Sequence, residues 1–210
     1  MGKLDKGIFG GFSGRVGNLV GVVLRGRHYV RVAPAHVHNP NTEGQRTQRG
    51  RFTVAQAFVR SILPYVRVGF RNDAQTCSAY NAAQSCIMKY AVEGKGKDCY
   101  IDYSKVFVAR GMLVGARQAK AVRTGDGVLF SWINNSGEVD ARPNDVAMPL
   151  VYNTVREQGV WESEIVFRSV ENVELKLPAS WNGEACVAYL AFRSESGEAV
   201  ANSVYLEFTE

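Results

Sequence analysis

Between residues 19 and 32, β-branched and aromatic residues form two short runs separated by a polar turn. The runs are Leu19–Leu24 and His28–Val32, and Arg25-Gly26-Arg27 joins them. Two such runs around a glycine-containing turn predict a β-hairpin. Because side chains alternate between the two faces of a strand, Tyr29 and Arg31 are expected to share one face.

Helical spacing replaces this pattern after Pro40. Thr42 and Gln45 match the capping box that begins a helix. Pro64 predicts either the end of this helix or a kink in it. Apolar residues between these points recur three and four positions apart, which predicts one buried stripe. The stripe consists of Phe52, Ala55, Phe58, Val59 and Ile62.

A second helix is predicted from Asp73, acting as the N-cap, to about Val92. Small side chains along it are expected to form a face that packs closely against a neighbour. These are Ala79, Ala82, Ala83 and Cys86, and glycines in Gly94-Lys95-Gly96-Lys97 are expected to end the helix.

From Cys99 onward the spacing favours short strands separated by turns. The predicted strands are Tyr100–Asp102, Lys105–Arg110, Val128–Ile133, Val146–Tyr152, Glu164–Phe167, Val173–Leu177, Ala185–Phe192 and Ser203–Phe208. Strands of this length and interval predict an antiparallel β-sandwich of immunoglobulin or fibronectin type III character, with Trp132 in its core. The expected fold class is therefore α+β: an N-terminal glycine-rich hairpin and two helices, followed by the sandwich.

Glycine is concentrated at the start of the chain, at positions 2, 7, 10, 11, 14, 17 and 21. Such a density indicates tight turns or the close approach of another backbone. Residues 11–17 have the pattern G-x-x-G-x-x-G, which differs from the glycine patterns of dinucleotide and nucleoside triphosphate loops. Nucleotide binding is therefore not expected.

Charge is divided along the chain. Residues 1–125 carry 20 Lys and Arg against 6 Asp and Glu, a net of +14, whereas residues 126–210 carry 5 against 14, a net of −9. This asymmetry predicts a basic surface that meets an anionic partner. Since it coincides with the change in spacing, two modules are predicted: a basic module at 1–122 and an acidic sandwich domain at 123–210.

Arginine supplies most of the positive charge before residue 72, and its planar guanidinium suits phosphate and carboxylate groups. The residues expected to bind a partner or nucleic acid are Arg15, Arg25, Arg27, Arg31, Arg46 and Arg49. The residues expected to form the acidic partner patch are Glu162, Glu164, Glu171 and Glu174.

Enzymatic and metal sites have weak support in the sequence. His36 and His38 have no third metal ligand nearby in sequence, and Ser13 lacks the context of a catalytic serine. The four cysteines show no C-x-x-C pair, which favours free thiols and synthesis in the cytoplasm. No run of apolar residues is long enough to span a membrane. We expect no catalytic residue, no metal, no cofactor and no membrane partner.

Three N-terminal segments carry a family resemblance: residues 10–18, 27–31 and 39–49. With their G-x-x-G-x-x-G and N-P-x-T-x-x-Q-x-x-Q-R patterns, they resemble a family of small bacterial and prophage-associated proteins that contain a domain of unknown function. Residues 101–106 and 203–206 fit the same family. The resemblance brings no activity with it and favours a role in an assembly or with nucleic acid.

The leading functional hypothesis is a non-enzymatic structural or interaction protein that self-associates into a homo-oligomer. Its basic module would contact the acidic domain of a neighbouring copy, within a phage-like or mobile-element assembly or particle. In the intramolecular alternative, the basic and acidic halves of one chain pack together and neutralise each other. The alternative is a protein that binds nucleic acid without sequence specificity, using the same arginines. The third class, a hydrolase or metal-dependent enzyme, would need a pocket that brings His36 or His38 beside Cys or Asp.

Overall fold

The chain folds into two compact units, Met1–Asn41 and Thr42–Glu210, called here the N-terminal unit and the C-terminal unit. The computed structural model describes residues 2–4, 7, 10–24, 26–36, 39–75, 77–96, 98–161 and 164–209. The sequence predicted a boundary between residues 122 and 123 instead. That position lies inside a strand of the C-terminal unit, as described below.

The N-terminal unit is a four-stranded antiparallel sheet whose strands follow one another in chain order. Its strands are β1 (Lys3–Leu4), β2 (Phe12–Val16), β3 (Leu19–Leu24) and β4 (Arg27–Val32). The predicted hairpin is confirmed as β3 and β4. A Cβ atom on Gly21 would lie 2.1 Å from the carbonyl oxygen of Phe12. The glycine at position 21 therefore permits the close backbone approach that the glycine-rich segment suggested.

The first helix of the C-terminal unit, α1 (Glu43–Ser61), begins as predicted. The backbone N–H of Gln45 donates to the hydroxyl of Thr42 at 3.3 Å, and the Gln45 side chain accepts from the Thr42 N–H at 3.3 Å. A short helix, α2 (Leu63–Gly69), follows with Pro64 in its first turn, so the predicted interruption is confirmed. Phe52 was wrongly placed in the buried stripe, because 46% of it is exposed.

The helix α3 (Ala79–Tyr90) is shorter than predicted. Its N-cap is Ser78, whose hydroxyl accepts from the N–H of Asn81 at 3.2 Å. Asp73 lies instead in a separate 3₁₀ turn, Asn72–Gln75. Ala83 and Cys86 are buried as expected. Two short strands follow and pair antiparallel, β5 (Val92–Glu93) and β6 (Tyr100–Ile101).

Two four-stranded sheets complete the C-terminal unit. Their strands are β7 (Arg117–Arg123), β8 (Gly127–Ile133), β9 (Val146–Asn153), β10 (Gln158–Trp161), β11 (Asn172–Lys176), β12 (Cys186–Arg193), β13 (Val204–Leu206) and β14 (Phe208–Thr209). The central sheet has the order β10-β9-β12-β13, and the outer sheet has the order β11-β8-β7-β14. All strand pairs are antiparallel except β14 with β7.

The central sheet is buried on both faces. On one face, Leu150 and Tyr189 belong to a core that includes residues of all three helices. On the other face, Val151 and Leu190 share a second core with Phe130 of the outer sheet. The mixed α and β composition and the antiparallel sheets are confirmed. Helices and strands that the sequence assigned to separate modules share one core.

Several predicted strand boundaries are wrong. Residues 105–110 and 164–167 form no strand, although Phe167 makes an isolated bridge with Val146. Strands β7 and β10 were not predicted, and β7 covers the segment assigned to the module boundary. Its sequence, RQAKAVR, is basic and contains few large apolar residues. Pairing with β8 rather than its own composition therefore makes this segment a strand.

A buried arginine connects the loops to the two sheets. Arg168 is fully buried and pairs with Asp145, with 3.1 Å between the guanidinium Nη2 and the carboxylate Oδ2. Its guanidinium also donates to Asn135 Oδ1 at 2.6 Å and to the carbonyl oxygens of Val114 and Gly115 at 2.8 and 3.2 Å. The guanidinium carbon lies 3.9 Å from the ring centroid of Phe192. Burial lowers the pKa of Arg168, and the charge of Asp145 opposes that change.

Replacing Arg168 with Met is expected to lower the free energy of unfolding by about 3–5 kcal/mol, because Asp145 would remain buried without a counter-charge. Urea unfolding followed by circular dichroism measures this difference. Arg156→Met is the matched control: it breaks a partly exposed ion pair with Glu184, and we expect a loss of about 1 kcal/mol or less. Equal losses in the two variants would contradict the role assigned to Arg168.

Two glycines of α1 provide a test of how closely this helix packs against the loop at Gly96. A Cβ atom on Gly50 would lie 2.0 Å from the carbonyl oxygen of Gly96, whereas one on Gly44 would meet open space. Gly44→Ala is therefore expected to raise the free energy of unfolding by up to about 1 kcal/mol, as alanine usually does in a helix. Gly50→Ala is expected to lower it, since the loop at Gly96 must move. Thermal unfolding of both variants tests this, and stabilisation by both would show that the loop yields freely.

Candidate functional site

Three of the predicted arginines lie on one face of the N-terminal sheet. Arg15 on β2 and Arg31 on β4 are both paired across the sheet with Val20 of β3, so all three side chains share a face. Arg27 and Tyr29 lie on the same face of β4, by strand alternation. The three arginines are exposed, and half of Tyr29 is exposed. We call these four residues the basic face.

No ion pair involving Arg15, Arg27 or Arg31 is found among the described residues. The Arg15 guanidinium does donate to the carbonyl oxygen of Gly17 at 3.0 Å. Arg25, the remaining predicted arginine of this segment, lies outside the described residues. Arg15, Arg27 and Arg31 therefore share one exposed sheet face, an arrangement that was not predicted from the sequence.

Apart from His28, the described side chains on the opposite face of the N-terminal sheet are apolar, and this face is open. Val16, Leu19 and Val32 form one row across β2, β3 and β4, and each is more than a third exposed. Among the described residues of this unit, only Gly21 is buried. The N-terminal sheet consequently has little core of its own.

Arg46 and Arg49 belong to the C-terminal unit. They lie on the first half of α1 and line a groove of about 710 Å³ together with Lys95. Glu43 and Asp98 line the same groove, so its charge is mixed. The predicted arginines are thus divided between the two units.

The predicted acidic residues lie near two edge strands. Glu164 follows β10, the edge of the central sheet, while Glu171 and Glu174 lie beside and within β11, the edge of the outer sheet. All three are exposed. Glu174 accepts a hydrogen bond from the Thr124 hydroxyl at 3.1 Å. Glu162 lies outside the described residues. We call Glu171 and Glu174, at the edge of the outer sheet, the acidic edge.

A second groove, of about 800 Å³, lies between α1 and α3 and was not predicted. Arg51 spans it and donates from Nη2 to the carbonyl oxygen of Met88 at 2.6 Å. Gln84 lines the groove and is 95% buried, and no described residue offers a hydrogen-bond partner to its Nε2 atom. The lining residues are Gln48, Arg51, Phe52, Asn81, Gln84, Ser85, Met88 and Lys89. We call this the α1–α3 groove.

The sequence contained one signal for this groove. Gln84 falls between Ala83 and Cys86, which were both assigned to a packing face. A glutamine there is unusual because buried polar side chains need partners. Neither Arg51 nor Lys89 stood out among the other basic residues, and Phe52 was assigned to the core.

Nucleophilic and metal-binding groups are dispersed. All four cysteines are free thiols, and burial raises the pKa of Cys86 and of Cys186, which disfavours the reactive thiolate. No cluster of three or more His, Cys, Asp or Glu side chains suited to a metal ion occurs among the described residues. His38 lies outside them. Within the same described ranges, no helix is both long and apolar enough to cross a membrane.

Comparison with known proteins gives a single assignment. No curated protein and no solved structure matches the chain. A family model described as a family of unknown function, DUF6266, matches residues 11–207. This match covers the three helices and strands β2 to β13. The chain therefore belongs to DUF6266, a family of unknown function.

Proposed function

We propose that this protein is a non-enzymatic structural or interaction protein that self-associates through contacts between its basic face and the acidic edge of a neighbouring copy. The observation that carries the proposal is the exposure of Arg15, Arg27 and Arg31 on one sheet face without an ion pair among the described residues. Arginine fits carboxylate groups with two parallel hydrogen bonds.

The weak core of the N-terminal unit supports a role in association. A sheet of this size needs apolar packing on at least one face for stability, and units of about 40 residues commonly obtain it from another surface. The exposed row of Val16, Leu19 and Val32 is available for such packing. A second surface is therefore expected to complete this unit.

The acidic edge supports the choice of partner. Glu171 and Glu174 are exposed at β11, a strand with one unpaired side. Charged side chains at an edge strand control which other chains approach it. Because the basic face and the acidic edge are different surfaces, the contact between copies is heterologous, and repeated contacts form a ring or a filament.

Two narrower assignments belong to this proposal. The first is a place in a phage-like or mobile-element assembly, which the resemblance of residues 10–18 and 39–49 favours. The second is an immunoglobulin- or fibronectin-like character of the two facing sheets, which the core shared by Phe130, Val151 and Leu190 supports.

Nucleic acid is the second candidate partner, and one observation favours it. Tyr29 lies between Arg27 and Arg31 on the same exposed sheet face. Sheet faces that carry aromatic and basic side chains bind single strands by stacking the bases and neutralising the phosphates. Such binding would weaken steeply with salt.

Self-association is tested by the double variant Glu171→Lys/Glu174→Lys. Light-scattering mass of the nuclease-treated protein is measured at about 0.1 M and 1 M salt, where screening differs severalfold in range. We expect the wild type to form large species only at low salt. The double variant is expected to need about tenfold more protein for assembly, because two partly exposed charge contacts contribute about 1 kcal/mol or somewhat more together.

Glu195→Lys/Glu198→Lys is the matched control, since it makes the same change in net charge at two other exposed glutamates. It is expected to assemble like the wild type. Adding Arg27→Glu/Arg31→Glu to the Glu171/Glu174 variant should restore assembly, because the charges of both contacting surfaces are then reversed. A wild type that is monomeric at both salt concentrations would contradict self-association. Titration with a single-stranded oligonucleotide would then test the second candidate.

A further inference from the structure

Two buried polar groups on α3 have no hydrogen-bond partner among the described residues: the Nε2 atom of Gln84 and the hydroxyl of Tyr80. They are four residues apart and therefore lie on the same side of the helix. Buried polar atoms in native proteins are nearly always hydrogen-bonded, so each exception requires an explanation. Gln84 also lines the α1–α3 groove, so a rotation about its last side-chain torsion would bring Nε2 to a molecule bound there.

The other polar groups of the α1–α3 groove define the charge of that molecule. Arg51 and Lys89 are both cationic, and the described lining residues include no Asp or Glu. One guanidinium nitrogen of Arg51 is held by the Met88 carbonyl oxygen, which fixes the side chain and leaves its other N–H groups available. The groove therefore presents several donors and an uncompensated positive charge.

An apolar surface lies beside these donors. Phe52 is 46% exposed although its position continues the spacing of the buried stripe, and Met88 is half-buried in the same lining. An aromatic ring next to a thioether packs well against a flat or branched apolar group. A ligand that uses the whole groove therefore has an anionic end and an apolar body.

We infer that the α1–α3 groove binds a carboxylate attached to an apolar group, with Gln84, Arg51 and Lys89 as the donors. A carboxylate matches the planar fork of a guanidinium and has enough lone pairs for the amide as well. The last torsion of a glutamine side chain is soft, so Nε2 turns toward a ligand at little cost. The site lies entirely within the C-terminal unit and is independent of the proposed self-association.

The carboxylate has two chemical sources, a free organic acid or an acidic side chain in a peptide. Nitrogen–proton correlation spectra of the full chain would be titrated separately with benzoate and with a blocked Phe-Glu dipeptide. We expect saturable shifts of the Gln84 side-chain amide and of α1 and α3 backbone amides. Tenfold tighter binding of the dipeptide would indicate a peptide source, whereas tighter binding of benzoate would indicate a free acid.

Benzylamine and inorganic phosphate are the matched probes. Benzylamine keeps the ring but reverses the charge, and phosphate keeps a negative charge but lacks the apolar body. We expect no saturable shift with benzylamine and at least tenfold weaker binding of phosphate. The inference would be overturned by phosphate binding as tightly as benzoate, or by the absence of a shift with both carboxylates.

Gln84→Met separates ligand binding from stability. Removing a buried donor that has no acceptor is expected to raise the melting temperature of the free protein and to weaken benzoate binding at least tenfold. Gln56→Met, on α1 outside the groove lining, is the control and is expected to bind like the wild type. Lys89→Met, at an exposed position, gives a second test if the first variant does not fold. Wild-type binding by either Gln84→Met or Lys89→Met would contradict the assigned donors.

Discussion

The buried pair between Arg168 and Asp145 is the interaction on which the C-terminal unit depends. An isolated charge in a protein interior is costly, so the guanidinium must find a counter-charge and enough acceptors in the folded chain. It finds them in Asp145, in Asn135 and in two carbonyl oxygens of the segment before β7. The Arg168 carbonyl oxygen in turn accepts from the indole N–H of Trp132 at 2.8 Å. One side chain thus sets the positions of three loops relative to both sheets.

The central sheet explains why the charge division along the chain is not a division of the fold. Its strands β9 and β12 are covered by the helices on one face and by the outer sheet on the other. A sheet in this position belongs to two cores at once, and neither neighbour can be removed without exposing apolar side chains to water. Net charge describes exposed residues, and it therefore carries little information about which elements share a core.

The two proposed surfaces have different structural foundations. The basic face and its open apolar reverse belong to a thin sheet with little core, a state suited to completion by another surface. The α1–α3 groove lies on helices that pack into a large core. Its proposed ligand is argued from the buried Gln84 Nε2 atom, which has no partner among the described residues. The proposed association between copies and the proposed binding of a small acidic group can therefore be tested separately.

Local pattern was sufficient for features that depend on neighbours in sequence. The β3–β4 hairpin, the Thr42 and Gln45 capping box and the interruption at Pro64 all follow from side-chain chemistry within a few residues. Features that depend on residues distant in sequence could not be predicted from local pattern. Phe52 has the spacing of a core residue but is 46% exposed, and β7 is a strand because β8 pairs with it. The Gln84 Nε2 atom is buried by the folded core, where no described residue accepts from it. Periodicity specifies which side of an element a residue faces, whereas burial and hydrogen bonding depend on what the tertiary structure brings to that side.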